Sequence, residues 1–285
     1  MPTLQPKQTM QTVQRLQSVQ SAQSVELAKV SDKLALCEKR QIATFTDFYA
    51  PINWAAFVAT FAETKKTTKI LTFGGTADSE RRIIGFFPAA DYANDYDYYP
   101  NEPNNADNSN TLLETFPIKI IQIKHNTKFN KPPRHQDYLG AIIGLGLERT
   151  KIGDILIADF AEIFVYSDIA DYICLQLDKV GNTAVTAAIS PKSGITASLQ
   201  KKSVQINLAS MRLDVALCAI FKLSRTQVSA LIASEKAFIN WLPCKVQSKT
   251  LATGDIITLR GYGRAEIGEI LGTTKKDRLR VQVFL

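Results

Sequence analysis

The chain of 285 residues has few of the features that mark membrane, secreted or metal-binding proteins. It has no apolar run of about 18 residues, so no transmembrane span is predicted. No compact apolar segment with a small-residue cleavage site follows Met1, so we expect no secretory signal and a cytoplasmic protein. Four isolated cysteines, without a C-x-x-C pair, predict reduced thiols rather than disulfides or a structural zinc site: Cys37, Cys174, Cys218 and Cys244.

Catalytic motifs are also scarce. The two histidines, His125 and His135, are not accompanied by a Ser or Cys elbow that a histidine base could serve. The H-Q-D at 135–137 has the spacing of a kinase catalytic loop, but the downstream Asn, the D-F-G and the Gly-rich loop are missing. Gly144-x-Gly146 lacks the third glycine of a dinucleotide-binding turn. We therefore expect no enzyme, no cofactor and no metal ion.

The composition that is present indicates an α+β protein of several domains. With 45% apolar residues, the chain can bury more than one core. Residues 1–33 are rich in Gln, Ser, Val and Thr, which predicts a disordered polar tail. Residues 34–115 predict an N-terminal α+β domain with a mobile acidic loop at 91–111. Residues 116–207 predict an RRM-like split β-α-β module, and residues 208–285 form the last domain. The aromatic signature of a true RRM is absent, so base stacking on the sheet of that module is not expected.

The last domain begins with two short helical patterns in tandem. Residues 211–221 place Leu213 and Leu217 on one face at helical spacing. Ser224 suits the N-cap of a second helix, and Gln227 three residues later completes the capping-box pattern. These patterns predict a tight corner between two helices, with the second helix starting at Ser224.

Basic residues concentrate in this domain. Residues 208–285 hold 12 of the 34 Lys and Arg but only 6 of the 27 Asp and Glu, so +6 of the net charge of +7 lies there. Arg212 opens the first helix, Arg225 lies in the first turn of the second, and Lys222 lies in the join. The N–H groups and positive dipole of a helix start suit phosphate. We therefore predict that the guanidinium groups of Arg212 and Arg225 are held ready for the backbone of folded RNA.

Five short motifs in this domain carry a family resemblance. R-L-D-x-x-L, L-S-R-T, L-I, A-F-I-N and G-D-x-I follow one another between residues 212 and 257. Their order and spacing resemble the RNA-binding domain named after ribosomal protein S-four. The family pattern has Gly at the helix-to-strand corner where this chain has Glu235. A left-handed conformation costs a non-Gly residue about 1 kcal/mol, so we expect the corner to be remodelled around Ser234. The resemblance and the helix-start argument together give these candidate RNA-binding residues: Arg212, Lys222, Ser224, Arg225, Thr226, Gln227, Asn240, Lys245, Arg260 and Arg264.

Stretches outside this domain extend the resemblance to about residues 40–285. F-T-D-F-Y at 45–49, F-G-G-T-A-D-S-E-R-R at 73–82 and the segment from R-H-Q-D to K-I-G-D-I at 134–155 resemble the YlmH-type S-four proteins of bacteria. The resemblance implies binding to rRNA or tRNA on the ribosome, and rescue of large subunits that still hold peptidyl-tRNA. Gln136 stands where the family has Arg, so one basic contact is lost. The secondary candidate RNA contacts are Arg134, His135, Arg149, Lys151, Lys275 and Lys276.

The expected function is therefore that of a monomeric, ribosome-associated protein that binds structured RNA without catalysis and has no membrane partner. Backbone contacts should dominate this recognition. Two alternatives stay open. An RNA-modifying enzyme would use the S-four-type domain as a targeting appendage, with its chemistry in residues 34–205. The G-R-L-D motif of pseudouridine synthases is incomplete here, however, because no Gly precedes Arg212. A protein-interaction module would instead offer its basic face to an acidic partner.

Overall fold

The computed structural model describes residues 24–61, 68–88, 106–125, 132–195, 202–274 and 277–285. Within these ranges the chain is a mixed α/β structure whose strands form three sheets. No single helix in the described ranges is long and apolar enough to cross a membrane. Leu213–Phe221 and Arg225–Ala233 reach that length only together, as a pair bent by 119°.

The N-terminal unit combines two helices with a three-stranded antiparallel sheet in the order β1-β3-β2. Its elements are α1 (residues 24–40), β1 (Thr44–Phe45), α2 (Pro51–Thr60), β2 (Thr68–Phe73) and β3 (Ile83–Pro88). Pro51 occupies the first position of α2, where its fixed φ suits a helix and its missing N–H costs nothing. Trp54 and Phe57 of α2 pack in one buried cluster with Ile84 and Phe86 of β3.

The prediction of a disordered tail over residues 1–33 is wrong for residues 24–33, which belong to α1. Val30, Leu34 and Cys37 follow one another at helical spacing and are at most 6% exposed in the core of the N-terminal unit. One apolar residue per turn is enough to hold a helix on a core. The average composition of a polar segment hides that pattern. α1 therefore crosses the predicted boundary at residue 34. Residues 1–23 lie outside the described residues.

The central unit is a five-stranded antiparallel sheet in the order β5-β6-β4-β8-β7. Strand β6 thus lies between β4 and β5, although α4 joins those two strands in sequence. Helices α4 and α5 cover one face through Tyr138, Ile142 and Ile173. The elements are α3 (Ala106–Thr115), β4 (Ile118–His125), α4 (His135–Gly144), β5 (Ile152–Ile157), β6 (Ala161–Tyr166), α5 (Ala170–Gln176), β7 (Lys179–Val180) and β8 (Thr183–Ser190).

The N-terminal unit covers the opposite face of this sheet. Ile120 and Phe164 pack there in one buried cluster with Phe48 and Phe73. The ring of Phe164 approaches so closely that a Cβ on Gly75 would lie 2.1 Å from it, so only glycine fits at that turn. The sheet surface that an RRM uses to stack bases is therefore buried at β4 and β6.

The predicted mobile loop at 91–111 is wrong for its last residues, because α3 begins at Ala106. Leu112 and Leu113 of α3 pack against the same aromatic cluster, which gives this polar helix an apolar anchor. The rest of the predicted loop, residues 91–105, lies outside the described residues.

The C-terminal unit places two helices on a six-stranded antiparallel sheet in the order β11-β10-β12-β13-β14-β9. Leu213, Leu217, Val228 and Ile232 of the helices are fully buried over the sheet. The elements are β9 (Ser203–Leu208), α6 (Leu213–Phe221), α7 (Arg225–Ala233), β10 (Ala237–Ile239), β11 (Leu242–Pro243), β12 (Ile256–Leu259), β13 (Gly263–Thr273) and β14 (Leu279–Phe284).

Strand β9 corrects the predicted boundary between residues 207 and 208. It pairs with β14 along its whole length, from Leu208 opposite Leu279 to Ser203 opposite Phe284. The strand that precedes α6 in sequence thus closes the C-terminal sheet rather than the central one. Pairing across about 75 residues leaves no local sequence signal.

Candidate nucleic-acid interface

The predicted capping box at the start of α7 is confirmed. The Ser224 N–H donates to the side-chain oxygen of Gln227 at 3.0 Å, and the Gln227 N–H donates to Ser224 Oγ at 3.3 Å. Lys222 ends α6 in the left-handed conformation with φ 57°, which turns the chain sharply into α7. The side chains of Ser224 and Gln227 thus fix the helix start rather than reach outward.

Two cations stand at this turn in the arrangement that the sequence predicts. Lys222 and Arg225 are both exposed, and neither forms an ion pair with a carboxylate in the described part of the chain. Thr226 is exposed beside Arg225, and both belong to the first turn of α7, whose N–H groups precede the first intrahelical hydrogen bond. We call residues 222–227 the basic corner.

The prediction that the Arg212 guanidinium is held free for RNA is wrong, because the carboxylate of Asp214 binds it. Arg212 donates to the two oxygens of Asp214 at 3.0 and 2.8 Å, in the two-bond geometry that arginine prefers with carboxylates. This hydrogen bonding lowers the pKa of Asp214. The two helix starts therefore do not present two equivalent guanidinium groups, and only Arg225 remains ready for a phosphate.

The helix-to-strand corner is not remodelled around Ser234. Glu235 itself adopts the left-handed conformation with φ 58°, while Ser234 keeps φ −87°. Lys245 donates to the Glu235 carboxylate at 2.8 Å, and both side chains are more than half exposed. An ion pair in water contributes little stability, so Lys245 can exchange Glu235 for a phosphate and stays a predicted RNA contact.

Three further candidates lie on or next to the strands of this unit, and they differ in whether their side chains are bound within the protein. Arg260 is exposed and stacks on the ring of Phe238, with 5.3 Å from Cζ to the ring centroid. Asn240 bonds to Asp255 at 2.8 Å and to the N–H of Ile256 at 2.9 Å, so its amide holds β10 against β12. Arg264 forms an ion pair with Glu80 of the N-terminal unit, and burial lowers the pKa of Arg264. Asn240 and Arg264 are therefore engaged within the protein, and their contact with RNA stays a prediction.

The start of α4 carries two of the secondary candidates. Arg134 is the N-cap, and its N–H donates to Asp137 at 2.8 Å. Its side chain is 74% exposed and only loosely paired with the same carboxylate at 3.4 Å. His135 is exposed next to it. This pair remains accessible to RNA and stays a prediction.

The other secondary candidates are either engaged within the protein or outside its described part. Arg149 donates to the carbonyl oxygens of Ile152 and Gly153. Lys151 lies 3.0 Å from Asp47 and 3.4 Å from Asp168, with its ammonium 4.1 Å above the Tyr166 ring. Burial lowers the pKa of Lys151, but these carboxylates outweigh it and the pKa is raised. Both side chains thus have structural partners at this turn, and their RNA role stays a prediction. Lys275 and Lys276 lie outside the described residues.

The sequence prediction missed a polar junction between the N-terminal and central units. Arg81 donates to the carbonyl oxygens of Ile152 at 2.9 Å and of Phe48 at 2.8 Å. The carboxylate of Asp154 accepts from the N–H groups of Glu80 at 2.5 Å and Arg81 at 3.1 Å. Burial raises the pKa of Asp154 and lowers that of Arg81 to about 10. The E-R-R and G-D-I segments of the family resemblance are therefore joined here, which no spacing in the sequence reveals.

Comparison with known proteins supports the resemblance. Residues 112–193 match the family model described as "Putative RNA-binding domain in YlmH". The ribosome-associated protein quality control protein P2 of Bacillus subtilis (strain 168) is 31% identical over 170 residues, which are 58% of this chain. The matched part spans 65% of the length of that relative.

A solved structure shows a weaker likeness. The cell division protein ylmH from Streptococcus pneumoniae aligns with a TM-score of 0.43 and 22% identity, over 61% of this chain and 92% of that one. The family model and the Bacillus relative confirm the predicted resemblance to the YlmH-type proteins.

Proposed function

We propose that this chain is a ribosome-associated protein that binds structured rRNA or tRNA, with the basic corner as its principal phosphate contact. The name of the Bacillus relative places that protein on the ribosome in quality control, and the family model names a domain for RNA binding. The matched residues 112–193 belong to the central unit, and the basic surplus belongs to the C-terminal unit, which carries +6 of the net charge of +7.

The observation that carries the proposal is the geometry of the basic corner. Arg225 and Lys222 are exposed beside a helix start whose own cap is already satisfied by Ser224 and Gln227. The capped turn is rigid, so a phosphate arriving there meets placed cations and the positive end of a helix dipole. Arg149, Lys151, Arg212 and Arg264, by contrast, are bound within the protein.

The topology supports an S-four-type C-terminal unit and an RRM-like central unit. Helices α6 and α7 pack on the C-terminal sheet, and the chain runs directly from α7 into strand β10 of that sheet. This order of elements is the one that the S-four motifs require. In the central unit, β6 is inserted between β4 and β5, which is the arrangement of a split β-α-β module. The N-terminal unit covers the sheet face of the central unit that the helices leave open. We therefore expect the central unit to contact RNA through its edges and helices.

We also propose that the protein is a cytoplasmic monomer without catalytic activity. In this proposal it binds large subunits that still carry peptidyl-tRNA. Asp214 matches the aspartate of the G-R-L-D motif of pseudouridine synthases. Its carboxylate accepts hydrogen bonds from Arg212 and from the N–H of Val215. A carboxylate held in this way orders a helix start. It is not placed to attack a nucleobase, which must first be flipped into an active-site pocket.

Sedimentation with ribosomes tests the proposal. The chain should pellet with bacterial large subunits and should remain in the supernatant after nuclease treatment. Pelleting that survives complete nuclease digestion would identify an acidic protein partner instead. Analysis of modified nucleotides after deletion of the gene tests the enzyme alternative, because loss of a specific modification would require catalysis.

A further inference from the structure

A hairpin in the C-terminal unit carries a tryptophan where the backbone favours glycine. Strands β10 and β11 are joined by Asn240 and Trp241, with Ile239 paired to Leu242. Both turn residues have positive φ, 49° at Asn240 and 65° at Trp241. Turns of this kind favour Asn-Gly, and the left-handed region is unfavourable for a bulky side chain. A strained position of this kind persists only where another interaction holds it.

The interaction that holds Trp241 lies in the N-terminal unit. The ring centroid of Trp241 is 4.9 Å from that of Trp54 in α2. The Arg82 guanidinium contacts both indoles, 5.6 Å from the Trp241 centroid and 5.1 Å from that of Trp54. Arg82 is 2% exposed and is fixed by the carbonyl oxygens of Ser79 at 2.9 Å and Ala77 at 2.7 Å. A buried guanidinium between two rings gives a cation–π contact its full strength.

A second contact joins the same two units a short distance away. Arg264 of β13 pairs with Glu80, which lies two residues before Arg82. A cavity of about 270 Å³ between the units is lined by Arg82, Trp241 and Arg264. Trp241 and its neighbour Leu242 pack on the core of the N-terminal unit beside this cavity, so the hairpin and the ion pair together join the two units.

The segment Glu80-Arg81-Arg82 therefore holds all three units of the chain. Arg81 binds the carbonyl oxygens of Ile152 and Arg149 in the central unit. Its neighbours Glu80 and Arg82 bind Arg264 and Trp241 of the C-terminal unit. This arrangement fixes the central unit relative to the unit that carries the basic corner.

We propose that Trp241 is a positioning residue that sets the orientation of the basic corner relative to the central unit, so that both units contact one RNA at the same time. The inference rests on the proposed function. Two linked contacts bind tightly only while the link keeps them at the spacing of their sites, since the second contact then forms at a high effective concentration. A loosened junction would leave each contact intact and would remove their cooperation.

The test uses the full chain with Trp241→Gly. Glycine suits the left-handed turn, so the hairpin should persist, while the contacts with Trp54 and Arg82 are lost. We expect the affinity for large ribosomal subunits to fall about tenfold or more, and small-angle X-ray scattering to show a larger radius of gyration. Trp241→Phe keeps a ring at the junction and should restore most of the affinity. Val58→Ala is the control, because it truncates a side chain of the same cluster but leaves the rings of Trp54 and Trp241 and the Arg82 guanidinium in place, and it should bind as the wild type does.

The outcomes separate the two proposals. If the wild-type chain shows no nuclease-sensitive binding to the subunits, the proposed function fails. If the wild type binds and Trp241→Gly binds equally well, only the positioning role is overturned. It is overturned as well if the Gly variant scatters like the wild type, if the Phe variant is as weak as the Gly variant, or if Val58→Ala weakens binding to the same degree.

Discussion

Replacing Arg225 by alanine, with Arg212→Ala as its matched control, tests the assignment of the basic corner. Both arginines stand at helix starts of the same unit, but Arg225 is exposed without a carboxylate partner in the described chain, whereas Arg212 donates twice to Asp214. Each phosphate contact contributes about 0.7–0.9 to the slope of log K against log salt. Arg225→Ala should therefore lower the slope by about 0.7–0.9, and Arg212→Ala by clearly less.

The size of the effect can be worked out for a practical salt range. Over a fourfold rise in KCl, from about 50 to about 200 mM, a slope difference of this size changes relative affinity about threefold. The affinity deficit of Arg225→Ala should thus shrink about threefold across that range. Fluorescence anisotropy of labelled protein, titrated with large ribosomal subunits at constant Mg²⁺, measures it. An unchanged slope for Arg225→Ala, or an equal change for Arg212→Ala, would refute the reasoning.

Three further predictions concern the bonds that hold the site. Ser224→Ala removes the cap of α7 and should lower the free energy of unfolding by about 1 kcal/mol in urea denaturation; no loss would contradict the observed cap. Because Arg212 lowers the folded-state pKa of Asp214, the stability from this pair is complete above the unfolded pKa of about 3.9 and is lost as pH falls through the folded value. The difference in Tm between wild type and Asp214→Asn should therefore shrink in acid, and a constant difference would refute the linkage. Arg81→Met removes three hydrogen bonds to carbonyl oxygens at the junction and one of the cations near the half-buried Asp154, so it should cost about 3 kcal/mol of unfolding free energy; a loss below about 1 kcal/mol would show that water replaces Arg81 at the junction.

Local patterns explain why the core of the candidate site could be predicted. The capping box needs only Ser224 and Gln227, three residues apart, and the two helices need only the spacing of their apolar residues. Interactions within one turn depend little on the rest of the fold. The pairing of Arg212 with Asp214 is equally local, and the R-L-D motif contained that signal. The prediction failed there because the arginine was considered without its neighbouring carboxylate.

The remaining errors come from contacts between distant parts of the chain. Arg264 meets Glu80 across 184 positions, and nothing in either neighbourhood identifies the partner. The same holds for Trp241 and Arg82, whose contact exists only once the units are docked. The start of α1 was missed for a different reason. Its few apolar residues change the average composition of a polar segment very little.

Ultraviolet crosslinking of the full chain to bacterial large ribosomal subunits, followed by mass spectrometry of the RNA-linked peptides, tests the central claim most directly. Crosslinked peptides should include residues 222–227, and Arg225→Ala should reduce their yield relative to other crosslinks. Crosslinks that occur only elsewhere in the chain, with residues 222–227 always recovered unmodified, would contradict it.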